Sequence, residues 1–253
     1  IFETMYHGAL ERSCELAKEY GAYHSFIGSP LHQGKFQFDM WGVQPSDRYD
    51  WEDLRTRIKN DGVRNSLLLA PMPTASTSQI LGFNECFEPF TSNLYSRRTL
   101  AGEFVVANKY LMKELIDLGI WNEQVKNNII ANKGSVQQLD IPQKLKDKYK
   151  IVWEMPMRHI IDMSADRGAF ICQSQSMNLW IEKPTYKTLT SMHFYSWKKG
   201  LKTGLYYLRR KATHQAQQFT IEPPKKSTDS PKPQIIKNEQ INQNEEVCEM
   251  CSA

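Results

Sequence analysis

Cys248 and Cys251 lie two residues apart within Val247-Cys248-Glu249-Met250-Cys251. Such a pair can close a small disulfide and exchange it with a partner, a thiolate attacking the partner's sulfur. Half of a zinc site and an incidental pair are the alternatives. A zinc site needs four ligands, and no cysteine or histidine near residue 248 supplies the other two. The reading adopted is a thiol–disulfide redox centre. A second run, Pro73-Thr74-Ala75-Ser76-Thr77-Ser78, is dense in small hydroxyl residues. At the start of a helix these would let an anion, phosphate above all, approach unpaired backbone N–H groups. Ordinary capping by Ser or Thr is the competing use, and spacing alone favours it. Third, Gly204-Leu205-Tyr206-Tyr207-Leu208-Arg209-Arg210 places two phenols side by side in a short apolar run. Packing is the default for such residues. Relay of an electron and a proton is the chemical alternative, which the spacing does not demand.

The elements that must position these groups follow from periodicity. Apolar residues at three- and four-residue spacing predict a helix from Phe2 to Tyr20, closed by Gly21. Gly28 to Asp50 reads as a long ordered loop anchored by Phe36, Phe38 and Trp41, and Trp51 to Gly62 as a helix capped by Asp50. Asn65 to Ala70 is an apolar run suited to a buried strand, which breaks at Pro71-Met72-Pro73 into the hydroxyl run and a helix start. Phe104-Val105-Val106 predicts a second strand. Helices are expected over Lys109 to Leu118, Trp121 to Ile130, Trp153 to Asp166 and Tyr186 to Lys199. Ala169-Phe170-Ile171 and Met177 to Ile181 read as short extended pieces. The alternation places the body in the α/β class with a mainly parallel arrangement.

Beyond Phe219 the composition changes. Thr220 to Glu246 holds four prolines, many Lys, Glu, Gln and Asn, and no aromatic residue, so it is expected to be disordered. About 28 residues then separate the body from Cys248, a root-mean-square span of roughly 28 Å for a flexible chain. A dithiol on such an arm can visit a site on the body and also meet a partner in solvent.

The net charge of +4 and 40% hydrophobic content fit a solvated, mixed-charge exterior and require no nucleic-acid surface. No apolar run approaches the ~18 residues of a membrane span, and no secretory leader is visible. Five cysteines, three of them scattered, do not form a secreted disulfide framework, so a reducing, cytoplasmic setting is expected. The sequence opens at Ile1 inside an amphipathic pattern, which is expected of a fragment of something longer.

Taken together, the motifs resemble the large subunit of class I ribonucleotide reductases, in its eukaryotic branch. The resemblance is carried by Pro71 to Gly82, Asn84-Glu85, Glu88-Pro89-Phe90-Thr91-Ser92-Asn93, Asp166-Arg167-Gly168, Gln173 to Asn178, Lys202 to Arg209 and the terminal Cys-x-x-Cys. It implies the C-terminal part of a ten-stranded α/β barrel over residues 1–219, followed by a flexible arm over 220–253. It implies reduction of ribonucleoside diphosphates to deoxyribonucleoside diphosphates by radical chemistry. Pro73, Thr74, Ala75, Ser76 and Thr77 would hold the substrate diphosphate, which reverses the preference for capping. Tyr206 and Tyr207 would pass a radical from the small subunit's tyrosyl–di-iron centre, and Cys248 and Cys251 would re-reduce the active-site disulfide before reduction by thioredoxin or glutaredoxin. Further implied partners are a second large subunit and the effectors ATP and dATP, bound on an N-terminal region that these residues lack; no metal or cofactor is expected on this chain.

The family's radical-bearing cysteine and its redox-active pair have no counterpart here. Cys14, Cys86 and Cys172 fall in no matching motif and receive no catalytic role. The 253 residues alone are therefore expected to be inactive. A stand-alone phosphate-binding or protein-interaction module with a regulatory dithiol is the competing reading.

Overall fold

Tyr6, Leu10, Cys14 and Ala17 fall on one stripe of helix α1 (Phe2–Tyr20) and are buried in the computed structural model, which describes residues 1–100 and 102–211. Gly21, at φ +77°, ends the helix in a conformation that favours glycine. Along the chain follow α2 (Gln37–Met40), α3 (Trp51–Asp61), α4 (Thr77–Leu81), β1 (Leu94–Thr99), β2 (Gly102–Ala107), α5 (Lys109–Asp117), α6 (Glu123–Ala131) and α7 (Gln143–Lys148). A 3-10 turn (Val152–Glu154), α8 (Met157–Gly168), β3 (Leu179–Trp180), α9 (Tyr186–Lys198) and β4 (Leu208–Arg209) complete the order. The architecture is α/β. Among the described residues the strands form two two-stranded sheets and no closed barrel, and no helix is long and apolar enough to cross a membrane.

The chain divides into two compact units, one of Ile1–Thr91 with Ile151–Lys211 and one built on Ser92–Lys150. In the first, α1 and α3 enclose Phe26, Phe36 and Phe38, and the Trp51 ring lies 5.3 Å from Phe36 and 4.8 Å from Phe38, edge to face. Asp50 caps α3, as expected, by accepting the Asp53 N–H at 2.9 Å. A second core gathers Val152, Met157, Ile160, Ile161, Met177, Leu179 and Met192 around α8, α9 and β3. Lys202 ties distant segments together, its ammonium donating to the carbonyls of Cys172 (2.6 Å) and Ile171 (3.1 Å) and to Gln37 Oε1 (3.3 Å). Burial lowers its pKa, and those three acceptors offset part of the desolvation cost.

In the other unit, β1 and β2 form an antiparallel hairpin in register from Leu94↔Ala107 to Thr99↔Gly102. Asn108 and Asn122 cap α5 and α6 with their side-chain oxygens. Leu94, Leu111, Leu115, Ile129, Val136, Leu139, Ile141 and Tyr149 form the core. Asn93 sits inside it, donating through Nδ2 to the carbonyls of Gly134 (3.0 Å) and Tyr149 (2.8 Å) and accepting from Asn108 Nδ2 (3.0 Å).

Four sequence expectations need correction. Asn65 to Ala70 forms no strand, and Leu67 is 54% exposed. The Leu68 and Leu69 N–H groups point at the Cys172 thiol (2.9 and 3.1 Å) instead of a neighbouring strand's carbonyls, so no regular ladder starts. Ala169 and Phe170 are a turn, because Phe170 N–H bonds back to Arg167 O and Ile171 N–H to Gly168 O. The mainly parallel arrangement reduces to one pair, β3 with β4. The predicted second strand is β2, paired with a β1 that polar residues had concealed. The helix expected over Trp153 to Asp166 is interrupted at Pro156, which precedes α8.

Asn93→Leu should cost about 1–3 kcal/mol, because Tyr149 O loses its side-chain donor, Gly134 O keeps only the residue 93 backbone N–H, and Asn108 Nδ2 loses its acceptor. Urea unfolding with hydrogen exchange resolved by segment checks this, the loss of protection being expected within residues 92–150 and not in the first unit.

Candidate functional site

Met177 to Ile181 and Tyr206 to Arg209 run side by side as the parallel pair β3–β4. Tyr206 N–H donates to Met177 O at 2.6 Å, Leu179 N–H to Tyr207 O at 2.9 Å and Ile181 N–H to Arg209 O at 2.9 Å. The Asn178 side chain adds a rung, its Oδ1 accepting the Tyr207 N–H at 3.1 Å. This suspends the two tyrosines on backbone bonds. Their rings lie 4.2 Å apart at 55°, and they are 48% and 49% exposed, which a core-packing role does not explain. The hydrogen bond to Tyr207 holds the Tyr206 phenol above the ordinary tyrosine range. The Arg209 guanidinium lies 4.9 Å from the Tyr207 ring centre and 5.8 Å from that of Trp180.

Against this pair packs the segment that follows the hydroxyl run. Asn84 Nδ2 donates to Glu88 O (2.7 Å) and Pro89 O (3.2 Å), shaping the turn that brings Glu88 inward. Glu88 Oε1 accepts the Asn178 N–H at 3.0 Å, and Oε2 accepts the Trp180 indole N–H at 2.8 Å. Burial raises the Glu88 pKa against the pull of these donors. Burial first, and then the neighbouring Glu88 carboxylate, push the Cys86 thiol up to about 12. Cys86 also accepts from Asn178 Nδ2 at 3.6 Å. A thiol so placed stays protonated and is a poor nucleophile. Arg167 stacks its guanidinium 4.5 Å over Phe87 and donates to Gln175 Oε1 at 2.6 Å, and burial lowers its pKa to about 10.

The hydroxyl run reaches the same cluster through one bond, the Cys86 N–H donating to Pro73 O at 2.9 Å. Thr74 and Cys86, at opposite ends of the loop so closed, both adopt φ +53°, a left-handed conformation that is costly for non-glycine residues. Thr74 Oγ1 donates to Pro73 O at 2.8 Å and Thr74 O accepts the Ser78 N–H at 2.9 Å. Thr74, Ala75, Ser76 and Thr77 are exposed at the start of α4, where a helix presents N–H groups without intrahelical partners. An anion could reach those amides. Pro73 to Thr77 and Tyr206–Tyr207 therefore belong to one neighbourhood, joined through Cys86 and Asn178. Cys248 and Cys251 lie outside the described residues.

Sequence reasoning assigned no role to Glu88, Asn178, Cys86 or Arg167, although Glu88, Asn178 and Arg167 stand in the motifs that carried the resemblance. The available signal was a carboxylate set among apolar neighbours in Phe87-Glu88-Pro89-Phe90, where burial would require donors from elsewhere in the chain.

Iodoacetamide at pH 9 should alkylate Cys86 on the order of a hundredfold more slowly than a free thiol, since a pKa near 12 leaves little thiolate. Glu88→Gln removes the adjacent negative charge, lowers the thiol pKa and should speed labelling. Peptide mapping by mass spectrometry reads both rates.

A family model described as "Ribonucleotide reductase, barrel domain" matches residues 1–207. The chain is 51% identical to the ribonucleoside-diphosphate reductase large chain of Schizosaccharomyces pombe, with all of this chain and 35% of that protein covered. It is 60% identical to the large subunit of Dictyostelium discoideum, covering 91% of this chain and 27% of the relative. For the Danio rerio large subunit the identity is 53%, covering 100% of this chain and 32% of that protein. Among solved structures, the alpha subunit of the Actinobacillus ureae class Id ribonucleotide reductase superposes with a TM-score of 0.61 at 27% identity, covering 83% of this chain and 33% of that one. The chain thus spans about a third of the length of these curated relatives.

Proposed function

The chain belongs to the ribonucleotide reductase family, in the barrel domain of the large subunit, and from that premise we propose that it contributes substrate-phosphate and radical-transfer elements to a ribonucleoside-diphosphate reductase. The reaction is reduction of ribonucleoside diphosphates to deoxyribonucleoside diphosphates for DNA precursor synthesis. The observation that carries the reading is the half-exposed Tyr206–Tyr207 pair, rings 4.2 Å apart, held beside the closed loop that bears Pro73 to Thr77. Pro73, Thr74, Ala75, Ser76 and Thr77 receive the diphosphate through exposed amides and hydroxyls. Tyr206 and Tyr207 relay the oxidising equivalent between a small subunit's tyrosyl–di-iron centre and an active-site cysteine elsewhere in the large subunit.

Cys248 and Cys251 act as a dithiol that re-reduces the active-site disulfide and is itself reduced by thioredoxin or glutaredoxin. The chain's body supplies the last strands and helices of a ten-stranded barrel in a cytoplasmic enzyme, which pairs with a second large subunit and is regulated by ATP and dATP. A stand-alone phosphate-binding module is the weaker reading, because the match over residues 1–207 is to a domain that the relatives carry within much longer chains.

In the full-length subunit assembled with its small subunit, Tyr206→Phe or Tyr207→Phe should reduce turnover to background while leaving substrate affinity nearly unchanged. A large fall in Tm instead would return the pair to a packing role. Replacing both Cys248 and Cys251 with Ser should preserve a single turnover, measured by rapid quench, and block recycling by thioredoxin. Unimpaired recycling would sink the shuttle.

A further inference from the structure

The two oxygens of Glu88 hold two donors of a single strand segment, the Asn178 backbone N–H at 3.0 Å and the Trp180 indole N–H at 2.8 Å. That segment is what the tyrosine strand hangs from. Asn178 Oδ1 accepts the Tyr207 N–H at 3.1 Å, and Leu179 N–H donates to Tyr207 O at 2.9 Å. Trp180 and Tyr207 also share the Arg209 guanidinium, at 5.8 and 4.9 Å. Glu88 stands 90 residues before Asn178, so the contact spans the fold and is not a local capping bond.

We propose that Glu88 is a positioning residue for the Tyr206–Tyr207 pair, fixing through Asn178 and Trp180 the ring geometry on which exchange of an electron and a proton between the phenols depends. The inference rests on the reading of the pair as a radical relay. In that step the O–H bond of one phenol breaks, its electron and proton pass to the phenoxyl radical of its neighbour, and an O–H bond forms there. Both atoms of the transfer lie on side chains, so the distance and tilt between the rings set the rate. Those in turn depend on where β3 holds β4.

The chemistry of the position favours a carboxylate specifically. Both Glu88 oxygens face N–H groups, and a carboxylate offers acceptors on both with no donor to clash. The neighbouring Cys86 thiol, which stays protonated, also hydrogen-bonds Glu88. Glutamine has the same shape but turns one acceptor into an NH2. Either the Asn178 N–H or the Trp180 N–H would then meet a donor, and the strand must shift to separate them.

The test uses the full-length large subunit assembled with its small subunit. Glu88→Gln should lower kcat about 10- to 100-fold, the cost of a displacement on the order of 1 Å, with KM for the nucleotide unchanged. Tm should stay within a few degrees. In parallel, an ortho-amino-substituted tyrosine at position 207 traps the radical for EPR. Its β-methylene hyperfine couplings report the angle between ring and backbone, which a merely structural carboxylate would not alter in a folded protein. An altered coupling pattern in Glu88→Gln is the expected result. Unchanged kcat and couplings in the folded variant overturn the proposal.

Should Glu88→Gln unfold, Glu88→Asp keeps the charge but withdraws the carboxylate by one methylene, and is expected to give a smaller fall in kcat and a smaller coupling change. Wild-type kcat and couplings in that variant also overturn the proposal. Tyr207→Phe separates the two levels. If it remains active, the relay reading itself fails; if it is dead while Glu88→Gln behaves as wild type, only the positioning role fails.

Discussion

A carboxylate withdrawn from water must be met by donors, and the donors that meet Glu88 organise its neighbourhood. Asn178 and Trp180 are drawn onto it from 90 residues away. In turn Asn178 and Leu179 take hold of Tyr207, so the phenol pair is seated by bonds to backbone atoms and not by packing. Burial, seconded by the same carboxylate, raises the Cys86 thiol pKa, and the Cys86 backbone anchors the hydroxyl loop. One half-buried carboxylate thereby couples a strand pair, a thiol and a loop that are far apart in sequence. Without it, β3 and β4 would be two residues of ladder each, too little to hold a fixed geometry.

Much of this fold was legible in the sequence because its helices are amphipathic or capped. The α1 stripe of Leu10, Cys14 and Ala17 and the Asp50 cap of α3 are local signals, and they appear where expected. Extended segments were less legible. Asn65 to Ala70 has the composition of a buried strand, yet its amides are spent on a side-chain thiol of Cys172, a partner about a hundred residues away that no periodicity reveals. The strand β1, Leu-Tyr-Ser-Arg-Arg-Thr, is too polar to register and forms because β2 pairs with it. The candidate site divides along the same line. The hydroxyl run and the tyrosine pair are contiguous in sequence and announced themselves. Glu88, Asn178 and Cys86 matter through contacts across the fold, and such contacts leave no mark on local spacing.

Two cations in the first unit, partly withdrawn from water, follow a different logic from Glu88. Lys202 gathers three oxygen acceptors, two of them backbone carbonyls, and so stitches the 171–172 turn to Gln37. Arg167 is met by a single amide oxygen and the face of Phe87, and burial depresses its pKa. Neither cation shares a salt bridge with Glu88, so the carboxylate's capacity stays with the β3 segment from which the tyrosine strand hangs.

The hydrogen bond from Cys86 to Pro73, flanked by two left-handed residues, cinches the hydroxyl loop at its neck. Drawing a neck closed fixes the two ends and leaves the contour between them comparatively cheap to vary. Doubling the length of a closed loop costs only about 0.6 kcal/mol in closure entropy. The closure itself is therefore indifferent to loop length, whereas residues 73, 74 and 86 must keep their backbone angles and Asn84 its bonds to the Glu88 and Pro89 carbonyls. The mounting of the loop is thus set apart from the surface it presents to a ligand.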